Sequence, residues 1–69
     1  MLFNGVRWKL TDTKKKQVDY KVSNIDELFK KIKKEGFSFL GTGDHGDLGF
    51  VKETRDDLEF INIIEVKEA

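Results

Sequence analysis

The most regular pattern of apolar and polar positions in this 69-residue chain predicts an amphipathic helix over residues 24–36. Asn24 is a good N-cap residue, and Glu27 follows three positions later, as in a capping box. Gly36 suits the left-handed position just after a helix, and Phe37 would then fold back onto the last turn. Between these ends, apolar residues recur at i, i+3, i+4 and i+7 and share one side of the helix: Ile25, Leu28, Phe29 and Ile32.

Segments on both sides of this helix have the patterns of β-strands. Two segments before the helix alternate between apolar and polar residues, and three segments after it are rich in aromatic or β-branched residues. The connections between consecutive strands are short and either polar or rich in glycine, which favours antiparallel hairpins. The predicted strands are residues 2–10, 17–22, 37–40, 48–53 and 58–66.

The element order is therefore β-β-α-β-β-β, in one small α+β domain that spans residues 1–69. Because short connections make neighbouring strands antiparallel, we expect one antiparallel sheet with the helix packed on one of its faces. A small, partly closed β-barrel with one helix is the alternative.

The last predicted strand carries apolar side chains on both of its faces. One half-buried sheet face accommodates only one of these two sets. Either the strand is covered on both sides, for example by a bulged or curled sheet, or one set meets a partner or a second copy of the chain. The first set is Leu58, Phe60, Ile64 and Val66, and the second is Ile61 and Ile63.

Composition limits the classes of function. The chain has no Cys, so it forms no disulfide and no thiolate metal site. Six Phe, one Trp and one Tyr supply a small core, and 38% of the residues are charged. No apolar run approaches the ~20 residues of a membrane span, and the N-terminus lacks the pattern of a secretion signal. We therefore expect a cytoplasmic protein that acts away from membranes without a cofactor.

Charge is divided between the two halves of the chain. Residues 1–36 hold ten Lys and Arg against five Asp and Glu, a formal charge of +5. Residues 37–69 hold three Lys and Arg against eight Asp and Glu, a formal charge of −5. The net charge of zero therefore hides a separation of charge, which can steer a charged partner.

These features favour a protein-binding module without enzymatic activity. Such a module would bind another protein, or a second copy of this chain through the sheet or its last strand, and would act as a small regulator or inhibitor. Acidic residues after the helix are the candidate contacts for a basic patch on the partner: Asp44, Asp47, Glu53, Asp56 and Asp57.

The basic half of the chain supports a second hypothesis, which is weak binding to nucleic acid. Lysines attract phosphates, and a tryptophan can stack on a base. Only two of the thirteen cations are Arg, the side chain best suited to phosphate recognition, so a solvated lysine face is the plainer interpretation. The candidate residues are Arg7, Trp8, Lys9, Lys30, Lys33 and Lys34.

The glycine-rich segment 41–49 contains the single His of the chain. Asp44, His45 and Asp47 offer three metal ligands, and the backbone N–H groups between the glycines offer an anion site. The segment lacks the Gly-Lys-Ser/Thr ending of a P-loop and precedes a strand instead of a helix. A hairpin connection is therefore the preferred interpretation. Because no activated nucleophile accompanies His45, we predict no catalytic residue. Because the chain has no second cluster of metal ligands, we also predict no metal-binding residue.

Overall fold

The structure, a computed structural model, describes residues 1–67. Glu68, which is counted in the acidic half above, lies outside the described residues together with Ala69. The order of the elements confirms the β-β-α-β-β-β prediction. The elements are β1 (Leu2–Lys9), β2 (Lys16–Lys21), α1 (Ile25–Lys34), β3 (Ser38–Thr42), β4 (Leu48–Thr54) and β5 (Asp57–Val66).

The five strands form one antiparallel sheet in the order β2-β1-β5-β4-β3. The last strand of the chain, β5, is the central one, because it pairs with β1 on one side and with β4 on the other. The sheet has two edges, β2 and β3, so it does not close into the barrel of the alternative prediction. The helix α1 connects these edges and carries the chain from one side of the sheet to the other.

The start of α1 confirms the predicted cap. Asn24 is the N-cap residue, and its Oδ1 accepts a hydrogen bond from the backbone N–H of Glu27 at 2.9 Å. The Glu27 carboxylate in turn accepts a bond from the backbone N–H of Ser23 at 2.8 Å, one residue before the usual partner in a capping box. The helix has ten residues, and no helix among residues 1–67 is long and apolar enough to cross a membrane.

The end of α1 also follows the sequence prediction. Gly36 has a φ of 96°, and its backbone N–H donates to the Lys33 carbonyl at 2.9 Å. The backbone N–H of Phe37 donates to the Ile32 carbonyl at 3.3 Å, which completes a Schellman motif. Phe37 is buried as the last residue of this motif. The strand β3 therefore begins at Ser38, one residue later than predicted.

One face of the sheet, which we call the covered face, packs against α1. Leu28 and Ile32 of the helix are fully buried against this face. Because burial of apolar surface is the main stabilising contribution in a small domain, this layer carries most of the stability of the fold. The strands contribute Phe3, Phe50, Ile61 and Ile63 to it.

The other face of the sheet, which we call the open face, receives the even-numbered apolar residues of β1. These residues pair across to even-numbered residues of β5, whereas the odd-numbered residues Gly5 and Arg7 pair with the buried isoleucines of β5. These even-numbered residues of β1 are Leu2, Val6 and Trp8. The alternation of apolar and polar residues in β1 therefore predicts that the strand has two different faces, but it does not predict which face the helix covers.

Candidate functional site

The open face carries a row of apolar side chains across the three central strands. Trp8 of β1 pairs with Phe60 of β5, and Phe60 pairs with Val51 of β4. The helix lies on the covered face, so no helix of residues 1–67 extends over this row. Six further apolar residues share the open face with the row: Leu2, Val6, Leu40, Leu58, Ile64 and Val66.

An aromatic pair forms the centre of this row. The rings of Trp8 and Phe60 are stacked, with centroids 5.4 Å apart and an interplanar angle of 22°. The Nζ of Lys15 lies 5.5 Å from the Trp8 ring centroid, which places a cation at the margin of the same face. Both rings are half-buried, and their stacking makes them one apolar platform.

Two apolar side chains of the open face outside this row are strongly exposed. Ile64 is 40% exposed, whereas Ile61 of the same strand on the covered face is 1% exposed. Leu40 is 61% exposed at a bulge in β3, between Phe39 and Gly41. Asn62 lies between Phe60 and Ile64 on this face and donates to Asp47, so a polar pair divides the apolar area. Exposed apolar side chains within a polar margin are typical of a surface that docks onto another molecule.

The five predicted acidic contacts lie in two separate groups. Asp44 and Asp47 belong to the turn between β3 and β4, whereas Glu53, Asp56 and Asp57 lie at the opposite end of β4. Because β4 has seven residues, a rise of about 3.3 Å per residue separates the groups by about 20 Å. The structure therefore brings these residues together as two acidic turns and not as one acidic surface.

Two of these acids form hydrogen bonds within the chain. Asp47 accepts a bond from the side-chain amide of Asn62 at 2.7 Å. Asp57 accepts bonds from the hydroxyl of Thr11 at 2.6 Å and from its backbone N–H at 3.2 Å. These donors favour the ionised form and hold the pKa of both carboxyls below the usual range. The other three acids are exposed and accessible to a partner.

The residues predicted to bind nucleic acid lie on opposite surfaces. Lys30, Lys33 and Lys34 are exposed on α1, which packs on the covered face, whereas Trp8 lies on the open face. Lys9 is exposed at the end of β1. The structure therefore separates the aromatic platform from the helix lysines, and one strand of nucleic acid would not reach both across the thickness of the domain.

Arg7, the remaining residue of that group, forms an internal ionic cluster. Its Nε donates to Glu59 Oε2 at 2.7 Å, its Nη1 lies 3.7 Å from Glu35 Oε1, and its guanidinium lies 5.2 Å from the Phe37 ring centroid. The Tyr20 hydroxyl donates to the same Glu35 carboxylate at 3.0 Å. The bond from Arg7 lowers the pKa of Glu59, which is buried.

Sequence reasoning did not find this ionic cluster. The available signal was the period-two pattern of the last strand. Glu59 is on the same side of the strand as Ile61 and Ile63, so its side chain points toward the same buried layer. A buried carboxylate needs a partner, and Arg7 on the neighbouring strand supplies it. The cluster is therefore a structural element that joins β1, β5 and the end of α1.

The glycine-rich segment forms the hairpin connection between β3 and β4. The Gly43 N–H donates to the Asp47 carbonyl at 2.8 Å, and Gly46, with a φ of 80°, donates to the Gly43 carbonyl at 3.1 Å. Asp44 and His45 are exposed at its tip. Within the described range 1–67, no group of three His, Cys, Asp or Glu side chains is placed to hold a metal ion.

No family model, curated protein or solved structure matches this chain. The geometry of the described residues therefore carries the functional argument. What that geometry offers is a stacked aromatic pair, exposed aliphatic side chains on the same face and a charged margin, which are components of a docking surface.

Proposed function

We propose that this chain is a protein-binding module without enzymatic activity and that it docks through the open face of its sheet. The observation that supports this proposal is the row of Trp8, Phe60 and Val51 on the face that α1 leaves uncovered, which also carries the exposed Ile64. Covering this face would remove apolar surface from water, and each Å² of buried apolar surface contributes about 25 cal/mol to the free energy of binding. A module of this kind acts by occupying a surface of its partner, as a small regulator or inhibitor does.

The composition of the open face supports a protein partner. Protein interfaces concentrate aromatic residues at a dry centre, surrounded by a polar margin that excludes water. Trp8 and Phe60 provide such a centre, and Lys15 and Glu53 lie at its margin. The margin is charged in both signs, so it contributes to the choice and orientation of the partner more than to affinity.

Site-specific photo-cross-linking in cells that produce the chain tests this proposal. A photoreactive phenylalanine at Val51 lies in the open face, and the same residue at Lys33 lies on the exposed side of α1 as the matched control. We expect protein adducts from position 51, their loss in a second variant that also carries Phe60→Lys, and none from position 33. Equal adducts from both positions, or none from position 51, would contradict docking through the open face.

One observation favours nucleic acid as a second candidate, namely the position of Lys15 beside the Trp8 ring. An aromatic platform flanked by a cation is the arrangement on which single-stranded bases stack. Trp8 is the single tryptophan, so its fluorescence reports such binding directly. Nucleic-acid binding predicts quenching by single-stranded oligonucleotides that decreases steeply with added salt. An unchanged signal at low salt would exclude this candidate.

A further inference from the structure

We propose that a second copy of this chain occupies the open face and that a two-fold axis along β5 relates the two copies. This inference rests on the proposed function, since it names the partner of the same surface. The strand β5 is the third of five in the sheet. Rotation about β5 therefore places β1 of one copy over β4 of the other, and the β2 edge of one copy over the β3 edge of the other.

The sizes of the side chains on the open face are compatible with this axis. Trp8, Phe60 and Val51 form one row, with Phe60 on the central strand. The rotation sets Phe60 against Phe60 of the second copy and Trp8 against Val51 of the second copy. The largest side chain of the row thus meets the smallest one on both sides of the axis. Such alternation lets two sheet faces interdigitate at a separation of about 10 Å.

Charge is distributed unequally between the two edges of the sheet. The hairpin and strand on the β2 side carry several lysines, with Asp19 as their one acidic residue between Lys14 and Lys21, whereas the β3–β4 side carries the two acidic turns described above. The lysines of β2 and its hairpin and the acids of the β3–β4 side thus lie on opposite sides of the sheet, whereas the other lysines of the first half lie on α1. The lysines of the basic side are Lys14, Lys15, Lys16 and Lys21.

The two-fold axis brings these opposite charges together at both ends of the strands. Lys15 and Glu53 lie at the end where β1 finishes, so Lys15 of one copy faces Glu53 of the other. Lys21 and Asp44 lie at the opposite end and face each other in the same way. An axis across the strands would instead place the basic edge over the basic edge. Charge therefore selects the axis along β5.

The size of the open face suits a weak dimer. Five strands spaced about 4.8 Å apart and about seven residues long cover roughly 550 Å², so the two copies would bury roughly 1,100 Å². Specific interfaces begin near this value, and stable ones are larger. We therefore expect reversible association with a dissociation constant in the micromolar range and not a permanent dimer.

Analytical ultracentrifugation of the full chain and of charge-reversal variants tests whether a second copy occupies the open face. The wild type should change from a mass of 8.0 kDa toward twice that mass as concentration rises through the micromolar range. The variants Lys15→Glu/Lys21→Glu and Asp44→Lys/Glu53→Lys alter exposed residues and so preserve the fold. Each variant alone should dimerise at least about tenfold more weakly, because four attractive pairs become repulsive.

Mixing the two variants in equal amounts is the decisive measurement. Reversed lysines of one variant then face reversed acids of the other, and the native edges face each other as before, so wild-type association should return. The control Lys33→Glu changes an exposed charge on α1 and should dimerise like the wild type. A wild type that stays monomeric at all concentrations, or variants whose association does not recover on mixing, would overturn the proposal that a second copy occupies the open face.

The sedimentation result separates this inference from the proposed function. A monomeric wild type that still gives adducts to other proteins from position 51 overturns the second copy and leaves docking through the open face intact. A dimer in solution without adducts from position 51 overturns both, since the copies then associate through another surface. A monomer whose Trp8 fluorescence is quenched by oligonucleotides also overturns both and identifies nucleic acid as the occupant.

Discussion

The two faces of the sheet contain similar apolar side chains but differ in what covers them. On β5, Ile61 of the covered face is 1% exposed and Ile64 of the open face is 40% exposed. The covered face lies under α1, whereas the aromatic platform of the open face is shielded only by its own neighbours. Apolar residues on a strand therefore do not by themselves define a core, because a chain with one helix covers only one sheet face.

This difference gives the two faces of β5 separate roles in the proposed function. The parity that faces α1 stabilises the fold, and the opposite parity is available to a partner. An uncovered apolar face is an aggregation hazard unless it has an occupant. Charged residues such as Lys15 and Glu53 lie at the margin of this face, where like-charge repulsion would disfavour a partner with an unmatched charge pattern.

The largest expected effect comes from the same substitution on each face of β5. Ile61→Ala leaves a cavity under α1 and should lower the free energy of unfolding by about 2–5 kcal/mol. Ile64→Ala removes a side chain that is 40% exposed, so we expect a loss below about 1 kcal/mol. Urea unfolding followed by circular dichroism at low protein concentration measures both values. Equal losses would show that the two faces are buried alike.

A milder pair and a concentration series extend this comparison. If Ile61→Ala does not fold, Ile61→Val should still cost about 0.5–1.5 kcal/mol, and Ile64→Val should cost almost nothing. Raising the protein concentration should increase the loss for Ile64→Ala alone, because that side chain becomes buried between two copies. No change with concentration would place Ile64 outside any interface between copies.

The next largest difference in the free energy of unfolding is expected between Gly→Ala substitutions at two positions of the sheet, Gly5 and Gly49. A Cβ at Gly5 would overlap the carbonyl of Asn62 and lie 2.8 Å from Ile63 Cα, so the backbone of β5 would have to move. Gly5→Ala should therefore lower the free energy of unfolding by up to about 3 kcal/mol. A Cβ at Gly49 meets its nearest neighbour at 3.7 Å, which is ordinary contact. Gly49→Ala is the matched control and should be neutral or slightly stabilising.

The sequence predicted the elements whose determinants are local. The caps of α1 depend on contacts within five residues, such as Asn24 to Glu27 and Phe37 to Ile32, and both were predicted correctly. Strand positions follow from period-two alternation, and their bounds differ from the structure by only one or two residues at most ends. The antiparallel sheet with one covering helix followed from the order of these elements.

The arrangement of the sheet depends on contacts between distant residues and was not predictable in the same way. The central position of β5 requires pairing with the first strand, in which Trp8 meets Phe60 across more than fifty positions. The open face results from that pairing, so its aromatic platform was invisible in the sequence. For the same reason, Asp44 and Asp57 were predicted in one group although β4 holds them at opposite ends.

A smaller effect is expected from the ionic cluster of the covered face. The bond from Arg7 lowers the folded-state pKa of Glu59, so its contribution to stability is present above the unfolded carboxyl pKa of about 4.3. This contribution is lost as pH falls through the lowered pKa. Glu59→Gln should cost about 1.5 kcal/mol at neutral pH and reduce the acid dependence of the urea midpoint. An unchanged acid dependence would assign it to other carboxyls.

The smallest effect concerns the contact between the β2 edge and the end of α1. Burial, with a further contribution from the hydrogen bond to Glu35, raises the pKa of Tyr20 to about 12. Because the folded pKa exceeds the unfolded value of about 10, the contribution of Tyr20 is present below pH 10 and is lost as pH rises toward 12. Tyr20→Phe should cost about 0.5–1 kcal/mol and remove this alkaline loss. Tyr20 is the single tyrosine, so phenolate absorbance follows it directly. Glu35→Gln should lower its pKa only in part, since burial is the larger cause, and a full return to the ordinary value would reverse that ranking.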